Sequence, residues 1–139
     1  MNNNNQADTR PPNLSEHAQK NQAMWEASSD EYEQRHAASL SGENVMAWGL
    51  WRIPEAELHI LGEVAGKDIL EFGCGAARWS IALAERGARP VGLDISSRQL
   101  QHARRLMQEA GVDFPLVEAS AEDVPLPDIS WRISGGYGK

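Results

Sequence analysis

An acidic residue and a glycine-rich turn have the types and spacing of a ligand-binding site. The stretch ILEFGCGAARWS places Glu71 two positions before Gly73, with Gly75 two positions further on. Glycine lets the backbone approach a ligand closely, and a helix start offers N–H groups without partners. A carboxylate at the tip of a strand suits an ammonium group and would repel a pyrophosphate. The turn is therefore predicted to hold a ligand that carries an ammonium group.

Alternating strands and helices are predicted to position this turn. Apolar runs predict strands over Asp68–Phe72, Pro90–Asp94 and Phe114–Ala119, with helices at about 76–86 and 97–110 between them. Strands separated by helices at this spacing form right-handed crossovers and a parallel sheet. The fold class is therefore predicted to be α/β, with a parallel sheet and N-terminal helices.

Capping-box patterns mark where two of the helices start. Ser96 is followed three residues later by Gln99, and Ser28 is followed three residues later by Glu31. The first pair predicts the start of the helix after the second strand. The second pair predicts that an N-terminal helix begins at Ser28 and carries Tyr32.

Two ligand classes compete for the glycine turn. A dinucleotide site has the pattern G-x-G-x-x-G, and Arg78 stands here where the third glycine belongs. Arg78 behind the turn and Glu71 ahead of it count against a nicotinamide-dependent oxidoreductase, which stays open as an alternative.

The turn resembles the first motif of class I S-adenosylmethionine-dependent methyltransferases, E/D-x-G-x-G-x-G. Ala77 stands here in the place of the last glycine. In that family the loop wraps the methionine part of the cofactor, and the acidic residue supports its amino group. The resemblance implies these roles for Glu71, Gly73, Cys74 and Gly75. Cys74 is interpreted as a small turn residue rather than a nucleophile.

Two further segments extend the resemblance to the rest of the cofactor. In the family an acidic residue at the end of the second strand takes both ribose hydroxyls, which implies that role for Asp94, followed by Ile95. The segment after the third strand resembles a D-A-E-x-L-P motif that contacts adenine. The implied residues are Ser120, which replaces the usual aspartate, Ala121 and Glu122.

Aromatic residues near the N-terminus complete the predicted site. Trp25 and Tyr32 resemble an aromatic pair that closes over the cofactor in the family, and Trp48 and Trp51 are candidates for a substrate pocket. Methyl transfer depends mainly on positioning the two reactants. The family's acceptor-binding residues lie after later strands, so no catalytic residue is assigned. The four histidines lie on polar stretches without metal-ligand spacing, and no metal site is predicted.

The composition restricts the partners. A formal net charge of −7 argues against binding to nucleic acid or anionic lipid, and no apolar run is long enough for a membrane helix. One cysteine in the sequence is typical of a reduced, cytoplasmic setting. A small-molecule acceptor is therefore expected, while the oligomeric state is left open.

Four segments are predicted: a disordered tail over 1–13, a helical cap over 14–66, a cofactor-binding half-domain over 67–128 and an irregular tail over 129–139. The resemblance implies a doubly wound, Rossmann-like parallel sheet in which the three strands present have the order 3-2-1. In the family the sequence continues S-F-D-x-V into a fourth strand, and this motif is absent here. The chain is therefore interpreted as truncated, with later strands missing and the Ile69–Leu70 edge of the first strand bare. A remnant that binds cofactor without activity is the third functional alternative.

Overall fold

The computed structural model describes residues 14–42 and 45–126, and the backbone of residues 132–133. The predicted tail over 1–13 lies outside the described residues. The helices are α1 (Glu16–His36), α2 (Glu55–Leu58), α3 (Arg78–Glu85) and α4 (Ser97–Ala110). The strands are β1 (Ala47–Trp48), β2 (Ile53–Pro54), β3 (Asp68–Phe72), β4 (Arg89–Asp94), β5 (Leu116–Glu118) and β6 (Arg132–Ile133).

The main sheet is parallel and has the order β5-β4-β3-β6. β3 and β4 pair from Asp68 opposite Arg89 to Phe72 opposite Leu93. Since α3 and α4 connect these parallel strands, the α/β class and the order 3-2-1 of the first three strands are confirmed. β1 and β2 form a separate antiparallel hairpin, which follows α1 and precedes β3 along the chain.

The prediction of a bare edge on β3 is wrong. β6 pairs with this edge in parallel, with Ile69 opposite Arg132 and Leu70 opposite Ile133. Part of the tail predicted as irregular is therefore a strand. A ladder needs only backbone N–H and C=O groups, so a two-residue segment with no strand signal of its own can pair with a strong apolar strand.

The core lies on both faces of β3. Ile69 packs with Ala82 and Leu83 of α3, whereas Leu70 packs with Val91 and Leu93 of β4. Consecutive residues of a strand point to opposite faces, and a parallel strand is typically buried on both. Burial therefore holds β3 rigidly, and with it the turn that follows the strand.

The start of α1 differs from the prediction. Ser15 is the N-cap, and its hydroxyl accepts a hydrogen bond from the backbone N–H of Ala18. The Ser28 hydroxyl donates instead to the carbonyl of Met24, four residues earlier, at 2.8 Å. Because the Ser28 hydroxyl bonds to a carbonyl of the preceding helical turn, it does not cap a helix start. The helix therefore continues through Ser28.

Charged side chains attach α1 to the rest of the domain. Glu33 and Arg78 form a bidentate ion pair in which Arg78 Nη1 lies 3.1 Å from Glu33 Oε2. The Glu33 and Arg78 side chains are only 8% and 13% exposed. Burial alone would raise the pKa of Glu33, but the hydrogen bonds and charge of Arg78 outweigh it and leave that pKa below its ordinary value.

Asp30 forms a second attachment, one helical turn before Glu33. Its carboxylate lies 2.7 Å from Arg98 Nη2 and 2.9 Å from His102 Nε2. The His102 side chain is half-buried in this contact. Hydrogen bonds from Arg98 and His102 lower the pKa of Asp30.

We predict that Glu33→Ala destabilises the domain by about 3 kcal/mol, because it leaves the buried Arg78 guanidinium without its carboxylate. Urea unfolding followed by circular dichroism measures the free energy of unfolding. Glu31→Ala is the matched control on the same helix, since Glu31 pairs with Arg35 at an exposed position. The control should change stability by less than about 0.5 kcal/mol. Equal losses of stability in the two variants would contradict a stabilising role for the buried pair of Glu33 and Arg78.

Candidate cofactor-binding site

An open cavity of about 1030 Å³ lies at the carboxyl ends of β3, β4 and β5. α1 contributes one wall, and the turns after the three strands contribute the others. Every residue that the sequence predicted for the cofactor lines this cavity. The fold therefore brings together residues that are far apart in sequence, at the edge where open parallel sheets bind ligands.

The turn after β3 has an alternating left-handed backbone. The φ angles of Gly73, Gly75 and Ala77 are +62°, +54° and +57°. A Cβ built on Gly73 would have no neighbour within 4 Å, so this backbone faces open space. Ala77 accepts a conformation that glycine prefers, but its methyl group is fully buried in the core against Ile81. That burial offsets part of a backbone cost of about 1–2 kcal/mol.

Asp94 joins the turn after β3 to the start of α4. Its Oδ2 accepts a hydrogen bond from the Gly75 N–H at 2.8 Å, and its Oδ1 accepts one from the Ser96 N–H at 2.9 Å. Each carboxylate oxygen has further lone pairs, which a ligand hydroxyl can use. Asp94 thus holds both loops in place and still faces the cavity.

Glu71 is a buried carboxylate under the same turn. Its Oε2 accepts hydrogen bonds from the backbone N–H of Ser80, at 3.0 Å, and from the Ser80 hydroxyl. Burial raises the pKa of Glu71 to about 7, although these hydrogen bonds act in the opposite direction. Within the described residues, Oε1 has no partner. When Glu71 is ionised, its unpaired oxygen attracts a cation.

Cys74 faces the sheet instead of serving as a reactive thiol. A Cβ built on Gly92 would stand 3.0 Å from the Cys74 sulfur, so the glycine in β4 makes room for it. Burial raises the pKa of the thiol strongly, and the Glu71 and Asp94 carboxylates add to the effect. A thiol held in its neutral form is a poor nucleophile, which supports the interpretation of Cys74 as a small turn residue.

The turn after β5 connects to α1. The Ser120 hydroxyl accepts a hydrogen bond from the Glu122 N–H at 3.2 Å, so Ser120 shapes the turn. The Glu122 carboxylate accepts a hydrogen bond from the Ser15 hydroxyl at 2.7 Å. Ala121 lies between them and lines the cavity. This link fixes the N-terminal end of α1 over the site.

The aromatic side chains of α1 lie at the mouth of the cavity. Trp25 and Tyr32 form an edge-to-face pair with ring centroids 5.4 Å apart. Gln22 of the same helix donates to the Ile95 carbonyl at 3.2 Å. Trp48 and Trp51, suggested for a substrate pocket, do not line this cavity: Trp48 packs edge-to-face on Trp79, and Trp51 is exposed on the hairpin.

Gln99 is the site residue that the sequence analysis missed. The capping-box pattern predicts a bond from its side chain to the Ser96 N–H, but Asp94 accepts that bond instead. Only half of the box forms, since the Ser96 hydroxyl accepts from the Gln99 N–H at 3.2 Å. Gln99 is 3% exposed, it lines the cavity, and its carboxamide has no partner within the described residues.

No cluster of potential metal ligands occurs in the described part of the chain, and no helix there is long and apolar enough to cross a membrane.

Residues 69–133 match a family described as a methyltransferase domain. The ubiquinone biosynthesis O-methyltransferase of Azoarcus sp. is 39% identical over 66 residues, which cover 46% of this chain and 28% of the relative. Methyltransferase phqN of Penicillium fellutanum is 35% identical over 80 residues, which cover 57% of this chain and 24% of the relative. The chain thus spans about a quarter of the length of these curated relatives.

The magnesium protoporphyrin IX methyltransferase of Synechocystis PCC 6803 has a similar fold, with a TM-score of 0.56 at 19% identity. The similarity covers 79% of this chain and 57% of that structure. The strand order and the similarity to this structure show a Rossmann-like fold. The match of residues 69–133 to a methyltransferase domain confirms the resemblance drawn from the motifs.

We predict that the free energy of unfolding falls by up to about 3 kcal/mol between pH 4.5 and pH 8 because of Glu71. Its pKa of about 7 in the folded state lies above the unfolded value of 4.5, so the stabilisation is complete below pH 4.5 and is lost as pH rises through 7. Glu71→Gln removes the titration. Urea unfolding at several pH values should therefore show the variant gaining stability relative to wild type as pH rises. A constant difference between the two proteins would rule out a raised pKa.

Proposed function

We propose that the chain is the cofactor-binding part of an enzyme that transfers a methyl group from S-adenosylmethionine to a small-molecule acceptor. The observation that carries the proposal is the glycine turn at Gly73 and Gly75, flanked by the carboxylates of Glu71 and Asp94 at the ends of adjacent strands. The first carboxylate suits an ammonium group, and the second suits ribose hydroxyls.

The residues present fit this cofactor. The left-handed turn exposes backbone at Gly73, Oε1 of Glu71 lacks a partner among the described residues, and Asp94 has lone pairs to spare. A cavity of about 1030 Å³ is at the upper end of the size range for small-molecule sites. We assign Glu71, Gly73, Cys74 and Gly75 to the methionine part, and Asp94 with Ile95 to the ribose.

The remaining predicted residues lie around the adenine and the cavity mouth in this proposal. Ser120, Ala121 and Glu122 form the turn beside the adenine, where Ser120 acts through the backbone that it shapes. Trp25 and Tyr32 border the space above the cofactor, where an aromatic face would attract a sulfonium cation.

The bound cofactor supplies the reactive methyl group and its leaving group. The described residues bind it, orient it and exclude water, and none of them is assigned as a catalytic base. The name of one curated relative, a ubiquinone biosynthesis O-methyltransferase, supports a small-molecule acceptor. We also propose that the protein is cytoplasmic and has no nucleic-acid partner, because its net charge is acidic and its sequence has one cysteine.

We predict that S-adenosylhomocysteine binds the chain in calorimetric titrations, whereas the oxidised nicotinamide dinucleotide does not. The discriminating feature is Glu71, which attracts an ammonium group and repels a pyrophosphate. Preferential binding of the dinucleotide would sink the proposal in favour of an oxidoreductase, and binding of neither ligand would sink it as well.

We also predict that the affinity for S-adenosylhomocysteine rises roughly fivefold to tenfold between pH 6 and pH 7.5. The ammonium group requires an ionised Glu71, whose pKa is about 7 without ligand. Glu71→Gln should bind more weakly and with a flat pH profile. The matched control is Glu85→Gln, at an exposed position of α3, which should keep the wild-type profile. A flat profile in wild type would exclude this role for Glu71.

A further inference from the structure

We propose that Ser80 is a positioning residue: it holds one oxygen of the Glu71 carboxylate, so that the other oxygen is left to bind the ammonium group of the ligand. This inference rests on the proposed function and extends it to a residue outside the glycine turn. Ser80 is fully buried and does not line the cavity, so it can act on a ligand only through Glu71.

Both donors of Ser80 converge on one atom. The backbone N–H donates to Glu71 Oε2 at 3.0 Å, and the hydroxyl donates to the same oxygen. Oε1 has no partner in the part of the chain that the structure describes, and Glu71 lines the cavity. The two oxygens of this carboxylate are therefore unequal: one is bound to the protein, and the other is left to a ligand.

The start of α3 explains why Glu71 and Ser80 are joined. Ala77, the N-cap residue of α3, makes no side-chain hydrogen bond to the first N–H groups of the helix. Ser80 is the third residue of α3, and Glu71 of β3 accepts its N–H instead. A carboxylate also interacts favourably with the positive end of a helix dipole. Glu71 thus caps α3, and this cap fixes the orientation of its carboxylate.

The hydrogen bonds from Ser80 also decide where a proton resides when Glu71 is neutral. An oxygen that accepts two hydrogen bonds holds a proton less readily than an oxygen with no partner. The proton of neutral Glu71 is therefore favoured on Oε1, the oxygen left to the ligand. An ammonium group has only N–H donors, so it binds this oxygen after the proton has left. Binding at a pH where Glu71 is partly neutral thus releases a proton to the solvent.

The surroundings of Glu71 favour its neutral form, and Ser80 opposes them. Burial raises the pKa of Glu71 to about 7, and the charge of Asp94 at the end of β4 acts in the same direction. The Cys74 thiol in the turn is neutral, because burial raises its own pKa strongly. The Arg78 guanidinium at the start of α3 pairs with α1. Loss of the Ser80 hydroxyl should therefore move the ionisation of Glu71 to higher pH.

The test is calorimetric titration of the full chain with S-adenosylhomocysteine at pH 7 and pH 8.5. Ser80→Ala removes the hydroxyl and keeps the N–H. It should weaken binding about fivefold at pH 7, because the midpoint of the affinity profile moves up by about one pH unit. At pH 8.5 the loss should be less than about twofold, since Glu71 is then largely ionised in both proteins.

Proton release gives a second measurement on the same variant. Titrations at pH 7.5 in buffers that differ in ionisation enthalpy report the number of protons released on binding. Ser80→Ala should release more protons than wild type, because a larger share of its Glu71 is neutral before the ligand binds.

Two comparisons separate positioning from folding. Ser29→Ala is the matched control, because Ser29 is equally buried but donates to the Trp25 carbonyl of its own helix. It should leave the pH dependence of the affinity unchanged. In a Glu71→Gln background, Ser80→Ala should change the affinity less than about twofold, since no titrating carboxylate remains to be held.

Two results would overturn the inference while leaving the proposed function intact. One is a wild-type affinity profile for Ser80→Ala. The other is equal weakening at pH 7 and pH 8.5, which marks a role in folding alone. If Ser80→Ala does not fold, Ser80→Cys decides by the same criteria, because it keeps the size of the side chain and replaces the hydroxyl with a weaker donor. Failure of wild type to bind S-adenosylhomocysteine overturns the proposed function and this inference together.

Discussion

The site depends on the two hydrogen bonds that Asp94 accepts from backbone N–H groups. One comes from Gly75 in the turn after β3, and the other comes from Ser96 at the start of α4. Charge-assisted bonds of this kind contribute roughly 1.5–3 kcal/mol each. Because they tie two adjacent loops to one strand end, the floor of the cavity is organised before any ligand binds. The same bonds displace the Gln99 side chain from the cap that its sequence predicts.

Electrostatics decides how the helical cap is attached. α1 buries few apolar side chains, and it is held through Asp30 and Glu33 by cations on α3 and α4. The cation at the centre of this contact is Arg78, the residue that counted against a dinucleotide loop in the sequence. Its guanidinium pairs with the Glu33 carboxylate. The residue that departs from the dinucleotide pattern thus attaches α1, which forms one wall of the cavity.

The buried carboxylate of Glu71 lowers the stability of the free protein in a way that would favour the proposed ligand. Burial under the turn makes its charged form unfavourable, which destabilises the folded protein at neutral pH. The same burial makes an ammonium ligand more favourable there than it would be in water, because the attraction between opposite charges is weakly screened. Buried ionisable side chains that destabilise the free protein in this way are common at ligand-binding sites.

Local patterns in the sequence were sufficient for the strands β3, β4 and β5, for the glycine turn with Glu71, and for the Ser96 cap, because each depends on neighbours a few residues away. Hydrogen bonds that these patterns do not specify decided the rest. β6 pairs with β3 through backbone groups that every sequence has, α1 continues through Ser28 because its serines bond back to the helix, and Gln99 loses its predicted partner to Asp94. The sequence by itself determined the class of fold and the chemistry of the turn. Only the tertiary structure decided which polar groups remained free to bind, since that depends on which partners the fold had already taken.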